Sequence, residues 1–367
     1  MMRKTIIIIN VCILLLTFAF ANDAKKQKID VYGFIKLDTA IDDSLTDNPD
    51  APKYVVKQVS KSNQQFTMTA MNSRLGINYT GLENDNLKVT GKFEIDFLDS
   101  ASDNSQKPRM RLAYIKIAGN SYDVVAGQAW DIFSPLGSNT LITGAWLWCG
   151  GNIALRRPQL RLTKHIDKKC IAQVSVNRNI GVVNNTVNSG ENSNIPVIEG
   201  RLAHSFNKVK VGLSGLFGKE EYVRDNGTTF KVNQEGVSLD VSISLLKVLD
   251  LKSELFYGKN LDAFLGGVQG INIVKEKAID TNGGWLQLTY KPSSKYEWNI
   301  CYGLDDPDNN DLNNNNISLN NVSFFNFLYS TSYDVKFGCE YSYFRTQYIN
   351  AAEETNNRIT FSVIYYL

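Results

Sequence analysis

Val237-Ser238-Leu239-Asp240-Val241-Ser242-Ile243-Ser244-Leu245 carries an apolar side chain at every odd position and a polar one in between. Successive strand residues point to opposite faces, so this stretch is a β-strand with one apolar and one wet face. The pattern recurs in both directions along the chain. Leu87, Val89, Gly91, Phe93, Ile95 and Phe97 alternate with Lys88, Thr90, Lys92, Glu94 and Asp96. Val335, Phe337, Cys339, Tyr341 and Tyr343 alternate with Lys336, Gly338, Glu340 and Ser342, and the chain closes on apolar Ile359, Phe361, Val363, Tyr365 and Leu367.

About sixteen segments of this kind follow one another, each near ten residues long. Their linkers alternate in length. Short ones lie at 81–86, 119–121, 167–168, 207, 247–249 and 292–294, and longer ones at 42–63, 100–107, 131–155, 180–194, 219–234, 262–282 and 305–317. A tilted strand needs about 9–11 residues to cross a bilayer, whereas strands of soluble sandwiches are nearer five or six. Short turns at one end and long loops at the other are the pattern of an outer-membrane barrel. No blade-length repeat points to a propeller. The expected fold is therefore all-β: a transmembrane antiparallel β-barrel of about 16 strands, with both termini at the short-turn end.

The N-terminus agrees with export. Arg3 and Lys4 precede an apolar stretch at 6–18, and Ala19-Phe20-Ala21 is a small-x-small cleavage site, so 1–21 reads as a signal peptide and 22–367 as a single barrel domain. Removing 1–21 leaves 37 basic against 37 acidic residues, a balance that excludes a general nucleic-acid binder. The remaining cysteines, Cys149, Cys170, Cys301 and Cys339, have no metal-ligand spacing, and a Cys149–Cys170 bridge stays open. No metal or cofactor is expected.

A barrel this wide leaves a lumen lined by the polar strand faces. Arginines gather there on both sides of 131–155. Arg109 and Arg111 share a face opposite Met110 and Leu112; Arg157 and Arg161 share one opposite Leu160 and Leu162; Arg74 and Arg201 lie on further wet faces. Guanidinium groups in a narrow pore attract anions and hold carboxylates bidentately. Glu94, Asp96, Asp240 and Glu340 are candidates for an opposing acidic wall. The segment 131–155 contains Leu141, Ile142, Trp146, Leu147 and Trp148, too much apolar area for an open loop of that length. It is expected to fold inward as a constriction loop, with Trp130, Asp131, Trp146 and Trp148 as its marker residues, or to pack on a neighbouring subunit.

Six short runs in order then resemble one family, the DcaP-like outer-membrane porins. They are Tyr32-Gly33-Phe34-Ile35-Lys36-Leu37-Asp38, Ser73-Arg74-Leu75-Gly76, Gly91-Lys92-Phe93-Glu94-Ile95-Asp96-Phe97, Arg109-Met110-Arg111-Leu112-Ala113-Tyr114, Ala126-Gly127-Gln128-Ala129-Trp130 and Arg157-Pro158-Gln159-Leu160-Arg161. The resemblance covers 32–161, and 162–367 is similar only in style. It implies a homotrimeric, sixteen-stranded porin in outer-membrane lipid that favours small anionic solutes such as dicarboxylates. Arg74, Arg109, Arg111, Arg157 and Arg161 would be the lumen arginines, Glu94 and Asp96 would share their wall, and Gln128 and Trp130 would lead into the constriction. Some members carry a coiled-coil extension before the barrel; here only 22–28 precede the first strand, and 131–155 follows no pattern of the family.

Two other functions compete with a passive channel. A barrel enzyme would draw on His165 and His204, the only histidines, yet both fall beside short turns. An adhesin or plugged structural barrel would use the loop asparagines Asn309, Asn310 and 313–316.

Overall fold

The barrel closes where its first and last strands meet, with Phe34 opposite Tyr366 and Asp42 opposite Arg358. The computed structural model describes residues 27–58, 63–98, 106–142, 146–181, 189–224 and 226–367. The signal-peptide expectation for 1–21 lies outside the described residues.

Sixteen antiparallel staves form the wall. They are β1 (Lys28–Asp42), β2 in two pieces (Gln65–Thr69 and Arg74–Glu83), β3 (Leu87–Asp96), β4 (Arg109–Gly119), β5 (Tyr122–Trp130), β6 (Arg156–His165), β7 (Cys170–Asn177) and β8 (Val197–Phe206). The second half is β9 (Val209–Val223), β10 (Thr229–Leu246), β11 (Leu249–Lys259), β12 (Asp280–Tyr290), β13 (Tyr296–Pro307), β14 (Ile317–Ser330), β15 (Val335–Tyr348) and β16 (Glu354–Tyr366). The two pieces of β2 count as one stave because both pair with β1, at 38–42 and at 28–34. Every other stave pairs with its sequence neighbours, as an up-and-down barrel requires.

The alternation sorts the side chains as the periodicity demands. Val237 and Leu239 lie exposed on the outer surface while Ser238 and Asp240 are buried inside; likewise Phe337, Cys339 and Tyr341 face out and Glu340, Ser342 and Phe344 face in. Closure gives each stave a paired neighbour on both sides, which lets strands cross lipid. Tyr290, Tyr296, Trp298, Phe327 and Tyr329 stack on one another at the short-turn end of β12–β14, with ring centroids 5.1–6.2 Å apart. Such amphipathic aromatics suit the membrane–water boundary.

Two expectations about the wall are corrected. The stretch 219–234 is not a long loop, since β9 and β10 continue to Val223 and Thr229. Its charged residues pair across the hairpin, as Lys231 does with Glu221 at 2.8 Å, so the two strands project beyond the apolar belt. Leu112 does not face outward. The register shifts between Glu94↔Leu112 and Ile95↔Met110, leaving Arg111 as an extra residue on β4. A bulge re-aims side chains, so Arg109, Arg111 and Leu112 all lie inside while Met110 stays exposed.

The apolar core sits inside the barrel and is built by loops. The third loop at the long-loop end, L3 (131–155), runs through the lumen. Its Ile142 and Leu147 pack with Val55 of the first loop, L1 (43–64), against Trp285, Cys301, Val322, Phe324 and Phe344 of β12–β15. At its base Phe133 and Ile153 pack with Leu261, Ala263 and Phe264 of the sixth loop, L6 (260–279), and with Val197, Leu216 and Phe256 of the wall. Each fully buried side chain of this size contributes about 1.5–3 kcal/mol, which is the reason for L3 to leave water. At its turn Gly150 and Gly303 touch so closely that a Cβ on Gly303 would collide with the Gly150 carbonyl oxygen.

Candidate functional site: an arginine wall facing the inward loop

Polar side chains of β11, β12 and β15, with one each from β1 and β8, hold L3. Glu254 accepts hydrogen bonds from Ser134 Oγ (2.7 Å), the Leu136 N–H (2.7 Å), Asn152 Nδ2 (3.2 Å) and Trp285 Nε1 (2.8 Å). Glu340 accepts from Thr140 Oγ1 and from the Leu141 N–H, each at 2.7 Å. Gln287 Oε1 accepts from the Asn139 N–H (2.7 Å), Glu199 Oε2 from the Ile132 N–H (2.9 Å), and Lys36 Nζ donates to the Leu141 carbonyl (2.6 Å). Loop backbone buried away from water needs such partners. Glu199, Glu254 and Glu340 therefore satisfy the loop. Glu340 is not part of an acidic wall facing the pore, because Thr140 and Leu141 use it. Asp240 is bound to Arg201 Nη2 at 2.7 Å, so neither member of that pair stands free.

The other half, β2–β6, carries the arginines. On β3, Glu94 and Asp96 stand between Arg74 of β2 and Arg109 and Arg111 of β4, on the same wall rather than opposite it. Arg109 grips Asp96 with two hydrogen bonds, of 2.9 and 2.8 Å. Arg111 bridges both acids, Nε to Glu94 and Nη1 to Asp96, each at 2.7 Å. Arg74 Nε lies 3.7 Å from Glu94, and Tyr32 donates its phenol O–H to the same carboxylate at 2.9 Å. The bulge at Arg111 brings the three guanidiniums onto two carboxylates, which pre-orients them against rotamer loss.

Across from this ladder, Trp146 of L3 stacks on Trp130 with ring centroids 4.3 Å apart. Arg156 lies over the Trp130 ring at 4.8 Å, a cation–π contact. Between Trp146 and the wall is a cavity of about 370 Å³, lined among others by Arg74, Lys92, Glu94, Arg111, Tyr114 and Arg161. Around it stand six cations, Arg74, Lys92, Arg109, Arg111, Arg156 and Arg161, against two carboxylates, Glu94 and Asp96. Among the described residues, Arg156 and Arg161 make no ion pair; Arg161 reaches only the Trp130 carbonyl, at 3.4 Å, and one guanidinium nitrogen of each is buried without a partner.

The structure thus brings together Arg74, Glu94, Asp96, Arg109, Arg111, Arg161, Trp130 and Trp146. It does not bring Arg157 into the lumen. That guanidinium is fully buried, 3.0 Å from Asp131, bonded to the Ala263 carbonyl, and 4.0 Å from the Phe264 ring, so Arg157 and Asp131 lock the root of L3 to L6. Arg201 pairs with Asp240 beside Gly212, whose Cβ would strike both side chains, and it does not line the cavity. Trp148 is buried within L3. Sequence reading missed Arg156, Lys92, Tyr32 and Tyr114. Lys92 was visible as a wet-face residue of β3, whereas Arg156 was hidden because strand parity alone assigns it to the outer face. The four described cysteines, Cys149, Cys170, Cys301 and Cys339, are free, so the Cys149–Cys170 bridge is not formed. His165 lies 3.2 Å from Asp123 at the short-turn end of β6, four residues beyond Arg161, and His204 lies beside Phe206; neither lines the cavity.

No family model and no curated protein matches this sequence. Solved structures do. The outer-membrane channel DcaP of Acinetobacter baumannii superposes with a TM-score of 0.77 at 18% identity, covering 95% of this chain and 100% of that one. The anion-selective porin from Comamonas acidovorans gives 0.66 at 14% identity over 93% and 100%, and the trimer form of OmpT of Vibrio cholerae gives 0.60 at 13% over 94% and 100%. At these identities the likeness is one of fold: the chain has the sixteen-stranded β-barrel fold of the outer-membrane porins and is similar to the DcaP channel over nearly its whole length.

Proposed function

We propose that this chain is a diffusion channel of the outer membrane for small hydrophilic solutes, with preference for anions such as dicarboxylates, and that the space between Trp146 and the β2–β6 wall is its selective passage. The observation that carries the reading is the charge balance there: six cations against two carboxylates, with Arg156 and Arg161 free of acidic partners among the described residues. A charge about 5 Å from a passing anion is worth about 0.8 kcal/mol in water, and loop walls that exclude water raise that figure. A dicarboxylate could meet Arg161 and Arg74 or Arg111 together, as guanidiniums hold carboxylates bidentately. Residues 1–21 would serve as the signal peptide and 22–367 as the mature barrel, assembled as a homotrimer like the trimer form of OmpT. Passage of this kind is passive and asks for no catalytic group or cofactor.

The test is the reversal potential of the purified protein in a planar bilayer under a KCl gradient. A potential on the anion-selective side is the expected result, and succinate added to one side should then reduce the chloride current. A cation-selective potential refutes the role of the arginine wall while keeping the channel. The alternative, a barrel plugged by L1, L3 and L6 and used for surface contacts, draws on the apolar packing of these loops inside the lumen; it predicts a folded, heat-modifiable barrel without conductance.

A further inference from the structure

At the long-loop end, away from the arginine wall, oxygen atoms of three elements meet out of water. Glu220 ends the inward face of β9, Asn260 and Asp262 begin L6, and Ser189 belongs to the short helical turn Ser189–Asn192 of the fourth loop. Glu220, Asn260 and Ser189 are fully buried and Asp262 nearly so. Glu220 accepts hydrogen bonds from Ser189 Oγ at 3.0 Å and from Gln234 Nε2 at 3.3 Å. The charge that acts most strongly on Glu220 is another negative one, Asp262, and the Asn260 amide lies beside the same carboxylate.

Neither carboxylate has an ion-pair partner among the described residues. The nearby guanidinium of Arg157 is already held by Asp131 and by the Ala263 carbonyl. Two buried like charges without a counter-ion are costly, by several kcal/mol per ion. A second observation is independent of the acids: Asn260 is fully buried, its amide Nδ2 is turned to Glu220, and its Oδ1 has no hydrogen-bond partner. Its Oδ1 points where Asp262 Oδ1 points, since a Cβ on Gly270 would collide with both. A cavity of about 370 Å³ lined by Asp262, Gly270, Asn272 and Asn313 reaches Asp262 from L6 and the loop 308–316. Among the described residues no trio of His, Cys, Asp or Glu converges on one centre, so any ion here would be held by two carboxylates completed by neutral oxygens. Oxygen-only sets with carboxylate and amide ligands select hard cations over soft ones.

We propose that Glu220, Asn260 and Asp262 form a site for a hard divalent cation, calcium or magnesium, that ties L6 to the rim of β9 and to the fourth loop. The ion supplies the missing positive charge, accepts the orphaned Asn260 oxygen as a ligand, and reaches the site through the cavity at Asp262. Ca²⁺ is favoured over Mg²⁺, because Ca²⁺ tolerates irregular geometry and amide oxygens whereas Mg²⁺ demands a near-octahedral set and keeps its waters. Extracellular calcium sites commonly bind at about 10⁻⁴–10⁻³ M.

The experiment uses the folded full-length protein in detergent, stripped with EDTA and titrated by calorimetry with CaCl₂ and, separately, MgCl₂. The temperature at which the folded electrophoretic form is lost is followed in parallel. Expected are a saturable calcium isotherm, a weaker magnesium one, and a raised unfolding temperature with calcium. Asp262→Asn and Glu220→Gln each abolish the isotherm, and in EDTA each unfolds no lower than the parent because a repelling charge is gone. Absence of saturable binding by either ion overturns the proposal, as does an isotherm that survives both substitutions and so belongs elsewhere on the barrel. Should neither variant fold, Asn260→Asp decides: a third carboxylate must tighten calcium binding several-fold, and unchanged or weakened affinity overturns the site.

Discussion

Replacing Glu254 by Leu should release the first half of L3 from the barrel wall. Glu254 is 1% exposed and accepts from four donors at 2.7–3.2 Å, three of them on L3. Two of the four have local alternatives: the Ser134 hydroxyl can rotate, and Asn152 Nδ2 already bonds the Leu136 carbonyl at 2.9 Å. The Leu136 N–H and Trp285 Nε1 have none. A buried donor left unsatisfied costs about 1–3 kcal/mol, so the seated loop loses about 2–6 kcal/mol relative to one that opens to water. The lower figure already shifts the seated-to-open ratio about 30-fold. Hydrogen exchange at the Leu136 amide should therefore accelerate by at least about 30-fold, and single-channel records should show larger, noisier openings. Glu254→Gln retains one acceptor oxygen and should fall between the two. Leu136 exchange within about threefold of the parent would refute the idea that this carboxylate seats the loop.

Arg161→Ser and Arg156→Ser each remove a cation that is ion-paired to no carboxylate among the described residues; with screening at 0.1 M salt each should lower the chloride-to-potassium permeability ratio about fivefold, and a ratio unchanged in the double variant refutes their role. Arg157→Gln should act differently, because it breaks the buried pair with Asp131: the expected loss is about 3–5 kcal/mol of stability, read as a lower unfolding temperature, and an unaltered one contradicts the lock at the root of L3. Cys149 and Cys301 are buried and burial pushes the Cys149 thiol up, so both should resist maleimide until the barrel unfolds; intact-mass analysis showing a disulfide in the folded protein would contradict the packing. Gly303→Val places a side chain against the Gly150 carbonyl and should cost about 1–3 kcal/mol; an unfolding temperature equal to the parent's would show that L3 does not press on β13 there.

The barrel was legible because its determinant is local. Whether Val237 or Ser238 meets lipid depends only on the period-2 geometry of a strand, so the residues near 237, 87 and 335 announce the fold independently of one another. That L3 leaves water was also legible, since Trp146, Trp148, Leu141 and Ile142 carry too much apolar area for an open loop; that it turns into the lumen and not onto a neighbouring subunit was decided by the packing of Ile142 and Leu147 against the wall. The pairing around Arg111 was not legible. One extra residue at 111 turns Leu112 inward and sets two arginines on Asp96 and Glu94, and a bulge leaves no mark in an alternation read strand by strand.

The same limit applies to charge. Sequence could place Arg157, Arg201, Asp240 and Glu340 on wet faces, but not choose partners across 26 to 200 positions of chain, and the partners decide which charges remain for a solute. The sequence by itself determined strand period, strand number, the end that carries the loops and which loop must leave water, because each follows from side-chain polarity over a few neighbouring residues. Only the tertiary structure decided that Glu254 and Glu340 hold L3, that Arg157 locks its root, and that Arg156 and Arg161 have no ion-pair partner among the described residues. A charge is cancelled or kept according to what lies within about 4 Å of it, and in a closed barrel those neighbours come from loops and strands far away in the chain.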